Sequence, residues 1–198
     1  MKVILGLFVL ITLSGCSWMY ELGQSSEFDM SEADITVPAF SYTNQENEAF
    51  GSNELKGDYW LANFAFTNCT TVCLTMMPNM SYLQNTLKEE GHNLPFVTFS
   101  VDPEQDTPEQ LHAYATNIGA ETDEWAFLTG YEVEEIESFA REGFKAVVSQ
   151  GDTPEEVIHP TSFFLIDKDG GIIRKYNGLE LNQEEITEDI TKVLREDS

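Results

Sequence analysis

The fold is decided by the stretch Tyr59-Trp60-Leu61-Ala62-Asn63-Phe64-Ala65-Phe66-Thr67-Asn68-Cys69-Thr70-Thr71-Val72-Cys73. Its first eight residues are almost continuously apolar and aromatic, which is typical of a strand covered on both faces at the centre of a sheet. Cys69 and Cys73 follow where this strand meets a predicted helix, and an offset of four places two side chains on one helix face. Because the first turn of a helix favours anions and thiolates, the pair predicts disulfide exchange or binding of a soft metal ion.

Strand-like and helix-like segments alternate along the rest of the chain. Thr107-Pro108 predicts a helix start, with threonine as the cap and proline in the first turn. Asp169-Gly170-Gly171 predicts a hairpin turn. The alternation predicts an α/β fold with a layered sheet. The predicted strands are 59–66, 95–101, 125–128, 144–148, 162–167 and 172–176. One predicted helix follows the cysteines, a second begins at 108, a third covers 133–141 and a fourth covers 186–194. A small hairpin is predicted over 40–51.

The amino terminus predicts export and a lipid anchor. Lys2 precedes an apolar run from Val3 to Leu13, which falls short of the ~20 residues needed to span a bilayer. The run ends in Leu13-Ser14-Gly15-Cys16, which resembles the bacterial lipoprotein box, where the cysteine becomes the lipid-bearing first residue. We therefore predict a signal peptide over 1–15, a lipid-anchored tether over 16–34 and a folded domain over 35–198. The alternative is an ordinary secreted protein in which Cys16 is coincidental.

The charge balance is strongly acidic. The chain has 35 Asp and Glu against 10 Lys and Arg, a formal net charge of −25. Such a surface repels phosphate backbones, so we predict no nucleic-acid partner. The acidic surface is interpreted as a solvated face, with steering of cations or docking to a basic partner as the alternative.

His159 is a third candidate ligand beside the two cysteines. If Cys16 carries lipid, only Cys69 and Cys73 remain as thiols in an exported compartment. His159 precedes Pro160 and a buried strand, in a loop that a layered sheet would bring beside the strand–helix junction. Two thiolates and one imidazole favour copper, whereas structural zinc normally takes four ligands. Spacing alone does not establish that His159 reaches the cysteines.

Three motifs in order resemble the Sco (SCO1/SenC) family. The resemblance covers roughly Ile35 to Leu194. A Cys-x-x-x-Cys pair alone is a weak signal, but together with the other two motifs it is specific. The motifs are Phe64-x-Phe66-Thr67-x-Cys69-x-x-x-Cys73, Ser100-Val101-Asp102-Pro103-Glu104-x-Asp106-Thr107-Pro108 and Ile158-His159-x-x-Ser162-Phe163-Phe164-Leu165-Ile166-Asp167.

The resemblance implies a fold and a function. The fold would be thioredoxin-like, with an added amino-terminal hairpin and a further hairpin before the last helix. The protein would bind one copper ion per chain through Cys69, Cys73 and His159, with Asp102 as an acidic residue just outside the ligands. It would mature the Cu(A) site of cytochrome c oxidase subunit II, from the outer face of the bacterial cytoplasmic membrane, to which lipid on Cys16 would anchor it.

Other interpretations of the same residues stay open. Cys69 and Cys73 would also suit a thiol-disulfide oxidoreductase that keeps the acceptor cysteines of that subunit reduced. A peroxidase-like protein and a domain with a structural disulfide are weaker alternatives. Asp102 is equally interpreted, together with Asp106, as an acid of a turn before the helix that satisfies backbone donors.

Pro160 carries a separate prediction. His159-Pro160-Thr161 departs from the family pattern and is similar to the Pro-Thr segment of thiol-disulfide relatives, whose proline is cis. We therefore predict a cis peptide bond between His159 and Pro160.

Overall fold

The structure is a computed structural model that describes residues 28–151 and 156–196. The predicted signal peptide, Cys16 and the first part of the predicted tether lie outside the described residues. Within the described ranges, none of the helices has the length and hydropathy needed to cross a bilayer.

One mixed five-stranded sheet organises the chain, in the order β5-β4-β3-β8-β9. β3, β4 and β5 are parallel, and β8 and β9 run antiparallel to their neighbours, which confirms the predicted α/β class. Two small hairpins, β1–β2 and β6–β7, lie outside this sheet. The elements are β1 Ser41–Thr43, β2 Ala49–Gly51, β3 Trp60–Ala65, α1 Cys73–Glu89, β4 Phe96–Ser100, α2 Pro108–Asn117, β5 Trp125–Leu128, α3 Val133–Phe144, β6 Ser149–Gln150, β7 Val157–Ile158, β8 Ser162–Ile166, β9 Ile172–Asn177 and α4 Glu184–Glu196.

β3 is the central strand, as its apolar sequence predicts. All six of its residues are buried, including Asn63. The Asn63 amide is satisfied because Thr98 Oγ1 donates to Asn63 Oδ1 at 2.7 Å and Asn63 Nδ2 donates to Met77 Sδ at 3.1 Å. Trp125 Nε1 in turn donates to Thr98 Oγ1 at 2.8 Å. This buried polar chain ties three strands to α1 without leaving an amide group unpaired.

The helix that carries the second cysteine begins later than the spacing predicts. α1 starts at Cys73, so Cys69 lies in the connection before the helix and not on its face. Helix α2 begins as predicted, since Thr107 accepts from the Gln110 N–H in a capping box. The carboxyl ends of β3 and β4 therefore lie at the same edge of the sheet as the start of α1.

One predicted strand is wrong. The sequence predicts a strand over 144–148, but Phe144 is the last residue of α3. Ile136, Ala140 and Phe144 are buried and spaced by four, so Phe144 continues the apolar face of the helix. Lys145 ends the helix in the left-handed conformation.

Both outer strands of the sheet are covered. At β5, the Gln45 side chain donates to Trp125 O and accepts from Phe127 N, so it replaces a neighbouring strand. At β9, the covering segment is the chain around Asp29 and Thr36, which forms isolated bridges with β9 and with the turn before it. The packed part of the chain thus extends to residue 28, before the start at residue 35 expected from the sequence.

Candidate metal centre

The two cysteines lie on residues 66–73, the cysteine segment, which connects β3 to α1. The Cys69 N–H donates to Phe66 O at 3.3 Å, which turns the chain immediately after the strand. Thr67 fastens the turn to a buried acid, since its Oγ1 donates to Asp106 Oδ1 at 2.5 Å and its N–H donates to the same atom at 3.2 Å. These hydrogen bonds hold the cysteine segment in place without any contribution from the two sulfurs.

The sulfurs of Cys69 and Cys73 have different environments. Cys69 is 8% exposed and Cys73 only 2%, and both are free thiols. Cys69 Sγ accepts from the Cys73 N–H at 3.4 Å, and this N–H belongs to the first residue of α1. Hydrogen bonding from the Cys73 thiol, with backbone N–H groups adding to it, lowers the pKa of Cys69 well below the usual thiol range. The same hydrogen bond, together with burial, raises the pKa of Cys73.

His159 lies on residues 157–161, the histidine segment, which comprises β7 and the connection from β7 to β8. Its Nδ1 lies 3.0 Å from Pro160 O, a carbonyl that only accepts, so Nδ1 carries a proton. The other ring nitrogen, Nε2, lies 3.7 Å from Cys73 Sγ. The ring also stands edge-on to Phe66, with centroids 5.7 Å apart.

The predicted cis bond between His159 and Pro160 is wrong, because the described residues contain no cis peptide bond. The trans form is the ordinary preference of such bonds. With this trans bond, the His159 ring lies beside both the Pro160 carbonyl and the Cys73 sulfur.

Three ligand atoms thus meet at one end of the sheet. The two sulfurs and the His159 imidazole offer donor atoms that all lie within 4.8 Å of one another, although His159 is 86 residues from Cys73. Soft sulfur donors with one imidazole suit copper, and the set is one ligand short of an ordinary structural zinc site. The hydrogen bond at Nδ1 orients the imidazole as outer partners do in metal centres.

Asp102 does not join this group among the described residues. It is half-buried, its N–H donates to Ser100 Oγ at 3.1 Å, and its carbonyl accepts from the N–H groups of Gln105 and Asp106. These contacts fit the interpretation of Asp102 as a turn residue. Burial raises its pKa.

Asp106 satisfies a backbone donor, as the turn interpretation expects, but sequence reasoning missed its contact with the cysteine segment. It is fully buried and accepts from Thr67 and, at 2.6 Å, from Ser100 Oγ, so it joins the end of β4 to the cysteine segment. Burial raises its pKa, against the effect of these hydrogen bonds. The available signal was its place in the Asp-Pro motif directly before the helix cap Thr107.

The other two histidines lie apart from the group. His112 is exposed on α2 and pairs with Glu46 at 2.8 Å. His92 follows the carboxyl end of α1, at the opposite end of that helix from Cys73.

The comparison with known proteins places this architecture in a family. The family model described as SCO1/SenC matches residues 28–195. The chain belongs to the SCO1/SenC family. Its sheet and helices are accordingly those of the thioredoxin-like Sco proteins.

Three solved Sco structures are similar to the chain. A SCO1/SenC family lipoprotein from Bacillus anthracis is 41% identical, with a TM-score of 0.77 and coverage of 80% of this chain and 95% of that one. BsSco, described as a Sco-family cytochrome c oxidase assembly protein with a disulfide switch, is 41% identical, with a TM-score of 0.73 and coverage of 80% and 93%. Arabidopsis thaliana ScoI, solved with copper bound, is 25% identical, with a TM-score of 0.70 and coverage of 82% and 99%.

Proposed function

We propose that this SCO1/SenC protein is a copper metallochaperone that matures the Cu(A) site of cytochrome c oxidase subunit II. Cys69, Cys73 and His159 hold one copper ion per chain. The observation that carries the proposal is the convergence of two free thiols and one oriented imidazole within 4.8 Å. The copper-bound Arabidopsis relative and the oxidase-assembly relative support the choice of metal and of pathway.

The proposal includes a place for the protein in the cell. Cys16 carries lipid, and the domain stands on the outer face of the bacterial cytoplasmic membrane. The residues Leu13-Ser14-Gly15-Cys16 support this anchor, as does the B. anthracis relative, which is described as a lipoprotein.

Copper binding and thiol state are coupled at such a site. Metal binding needs both sulfurs as thiolates, so it releases protons, and the binding free energy adds to the stability of the fold. Oxidation of Cys69 and Cys73 to a disulfide removes both sulfur ligands and releases the ion.

The test is a titration of the reduced chain with Cu(I) and Cu(II). We expect one copper per chain, with sulfur-to-copper charge-transfer bands that disappear in Cys69→Ala and Cys73→Ala and weaken in His159→Ala. His112→Ala is the matched control, since His112 is exposed and contacts Glu46 instead. Unchanged copper binding in His159→Ala would contradict the proposed ligand set.

The two thiols differ in pKa and in exposure, and this difference favours a second function. Cys69 has the lowered pKa and the greater exposure, as an attacking thiol requires, and Cys73 is the buried partner. The Cys69 thiolate would attack a disulfide of the acceptor and form a mixed disulfide, releasing the first acceptor thiolate. Cys73, on losing its proton, would then attack Cys69 Sγ, leaving a Cys69–Cys73 disulfide and a reduced acceptor, and an external dithiol reductant would complete the cycle.

His159→Ala separates the two functions. A carrier needs the imidazole as a ligand, whereas a reductase needs only the two sulfurs. We expect His159→Ala to lose copper affinity while it still reduces a disulfide-bonded peptide in the presence of a dithiol. Equal loss of both activities would contradict this separation.

A further inference from the structure

We infer that the anchored protein holds its Cys69–Cys73–His159 end toward the bilayer, so that it serves an acceptor whose ligands lie close to the membrane surface. The inference rests on the lipid anchor proposed above. It is carried by the path of residues 28–36 along the sheet and by the charges of the two ligand-bearing segments.

The strands define the end of the sheet that holds the site. β3 runs toward Cys69, and β8 is antiparallel to it and begins just after His159. β9 is antiparallel to β8, with Asn177 opposite Ser162. The carboxyl end of β9 therefore lies at the same end of the molecule as the three ligands, which we call the site end.

The amino-terminal segment runs along β9 toward the site end. Thr36 bridges Gly171 and Asp29 bridges Arg174. The Lys175 N–H then donates to Phe28 O at 3.0 Å. Followed from residue 36 back to residue 28, the segment therefore starts beside the turn before β9 and runs along β9. At residue 28 it lies two residues before the carboxyl end of β9.

Side-chain contacts fasten this path. Arg174 Nη1 lies 3.2 Å from Asp29 Oδ1, and Arg174 Nε lies 3.1 Å from Asp189 Oδ2 of α4. The same guanidinium therefore joins the amino-terminal segment to β9 and to α4. The Phe28 ring packs on Tyr176 with centroids 5.0 Å apart. The direction in which the described chain points toward Cys16 is therefore set by packing.

Covalent geometry then places the site end nearer to the lipid. Eleven residues, 17–27, separate Cys16 from Phe28. This stretch spans at most roughly 40 Å. The end of the molecule opposite to the site end, which we call the far end, is separated from the ligands by the length of α1. The 17 residues of α1 extend about 25 Å from Cys73. Averaged over orientations, the ligands lie closer to the anchor than the far end does.

The ligand-bearing segments are also suited to approach a membrane. No Asp, Glu, Lys or Arg occurs from Tyr59 to Leu87 or from Val157 to Ile166, in a chain that carries 35 acids. Leu74 is 68% exposed beside Cys73, and Ile158 is 52% exposed beside His159. Asp102 and Glu104 lie on the neighbouring connection. The two ligand-bearing segments therefore add no charge repulsion against anionic lipid, unlike the acidic remainder of the surface.

The test measures energy transfer from the protein to the membrane. The full lipidated chain is bound to vesicles of phosphatidylethanolamine and phosphatidylglycerol that carry acceptor dye on their headgroups. A donor dye is attached through an azide-bearing amino acid at Leu181, which is 84% exposed after β9, or at Asp169 in the turn at the far end. We expect transfer from position 181 to exceed that from position 169 about twofold or more, given the ~25 Å offset.

Moving the anchor provides the control. Thr191 Oγ1 donates to Glu90 Oε2, so the carboxyl end of α4 lies at the far end of α1. Cys16→Ser with lipid attached after Ser198 should therefore reverse the order of transfer. Equal transfer from both positions, or greater transfer from position 169, in the native arrangement would overturn the inference. Failure to bind vesicles would refute the anchor and the inference together, while one-to-one copper binding by the same sample would leave the copper role standing.

Discussion

The cysteine segment and the histidine segment contribute to one site but are held in different ways. Residues 66–73 are fixed by a buried carboxylate and by the start of α1, and both sulfurs are buried. Residues 157–161 are held through backbone, since β7 pairs with β6 and the Gly178 N–H donates to Thr161 O at 2.8 Å. His159 itself is only half-buried. The difference teaches that the thiols form a preorganised pair and that the imidazole completes the site from a separately supported loop.

The largest expected effect is the loss of a sulfur. Cys73→Ala should lower Cu(I) affinity by about 1000-fold or more, because thiolate is the ligand that Cu(I) prefers. His159→Ala should lower it by about 10- to 100-fold, since both sulfurs remain. Competition with a Cu(I) chelator measures both. Equal losses of Cu(I) affinity in the two variants would contradict the described difference between the cysteine segment and the histidine segment.

The next effect comes from the support under the cysteine segment. Asp106→Asn should lower the free energy of unfolding by about 2 kcal/mol, because it leaves buried donors of Thr67 and Ser100 without a charged acceptor. It should also weaken copper binding about tenfold. Urea denaturation and chelator competition measure the two changes. Asp102→Asn is the matched control, and we expect it to change stability by less than about 0.5 kcal/mol.

The support under the histidine segment is tested at Gly178. A methyl group added there would lie 2.6 Å from Thr161 O and 2.9 Å from Met76 Cγ, so the histidine segment must shift. Gly178→Ala should cost about 1 to 2 kcal/mol of stability and lower copper affinity, while alkylation of Cys69 continues at its original rate. In Gly57→Ala the methyl group meets no atom and only a φ of +92° is strained, so copper affinity should be kept. A parallel loss of affinity in both variants would assign the effect to stability alone.

A further effect, which needs no substitution to observe, is the dependence of stability on pH. The pKa of Cys69 is lower in the folded state than in the unfolded state, so between the two values the unfolded state binds more protons. The contribution of Cys69 to the free energy of unfolding of the reduced protein should therefore rise with pH across this window and level off above the unfolded thiol pKa near ~8.5. Above that pH the raised pKa of Cys73 should make stability fall. Cys69→Ala should lack this contribution, whereas Thr70→Ala should keep it. Denaturation of the reduced proteins between about pH 5 and about pH 8 measures the slopes, and equal slopes for wild type and Cys69→Ala would contradict the lowered pKa.

The sequence predicted the elements whose signal is local. The apolar run of β3, the cap at Thr107 and the turn at Asp169 each depend on neighbouring residues, and each was placed correctly. Phe144 was misplaced because an aromatic residue beside other apolar residues fits a strand as well as the last turn of an amphipathic helix.

The parts of the site that sequence could not give are long-range. That His159 meets the thiols depends on β8 pairing with β3, which no local pattern records. Asp106 and Asp102 lie in one motif with the same chemistry, and only the folded chain shows which of them meets Thr67. The peptide bond before Pro160 was inferred from a similar motif in other proteins, and the position of the His159 ring followed a different geometry.

The covered outer strands have a consequence under the proposed anchoring, in which many copies of the protein would share one membrane surface. An uncovered strand offers a row of free N–H and C=O groups to the sheet of a neighbour, which is how edge-to-edge polymers begin. Here Gln45 occupies one such row, and the chain around Asp29 and Thr36 occupies the other. The stretch that leads to the proposed anchor thereby also blocks edge-to-edge association, which crowding on such a surface would favour.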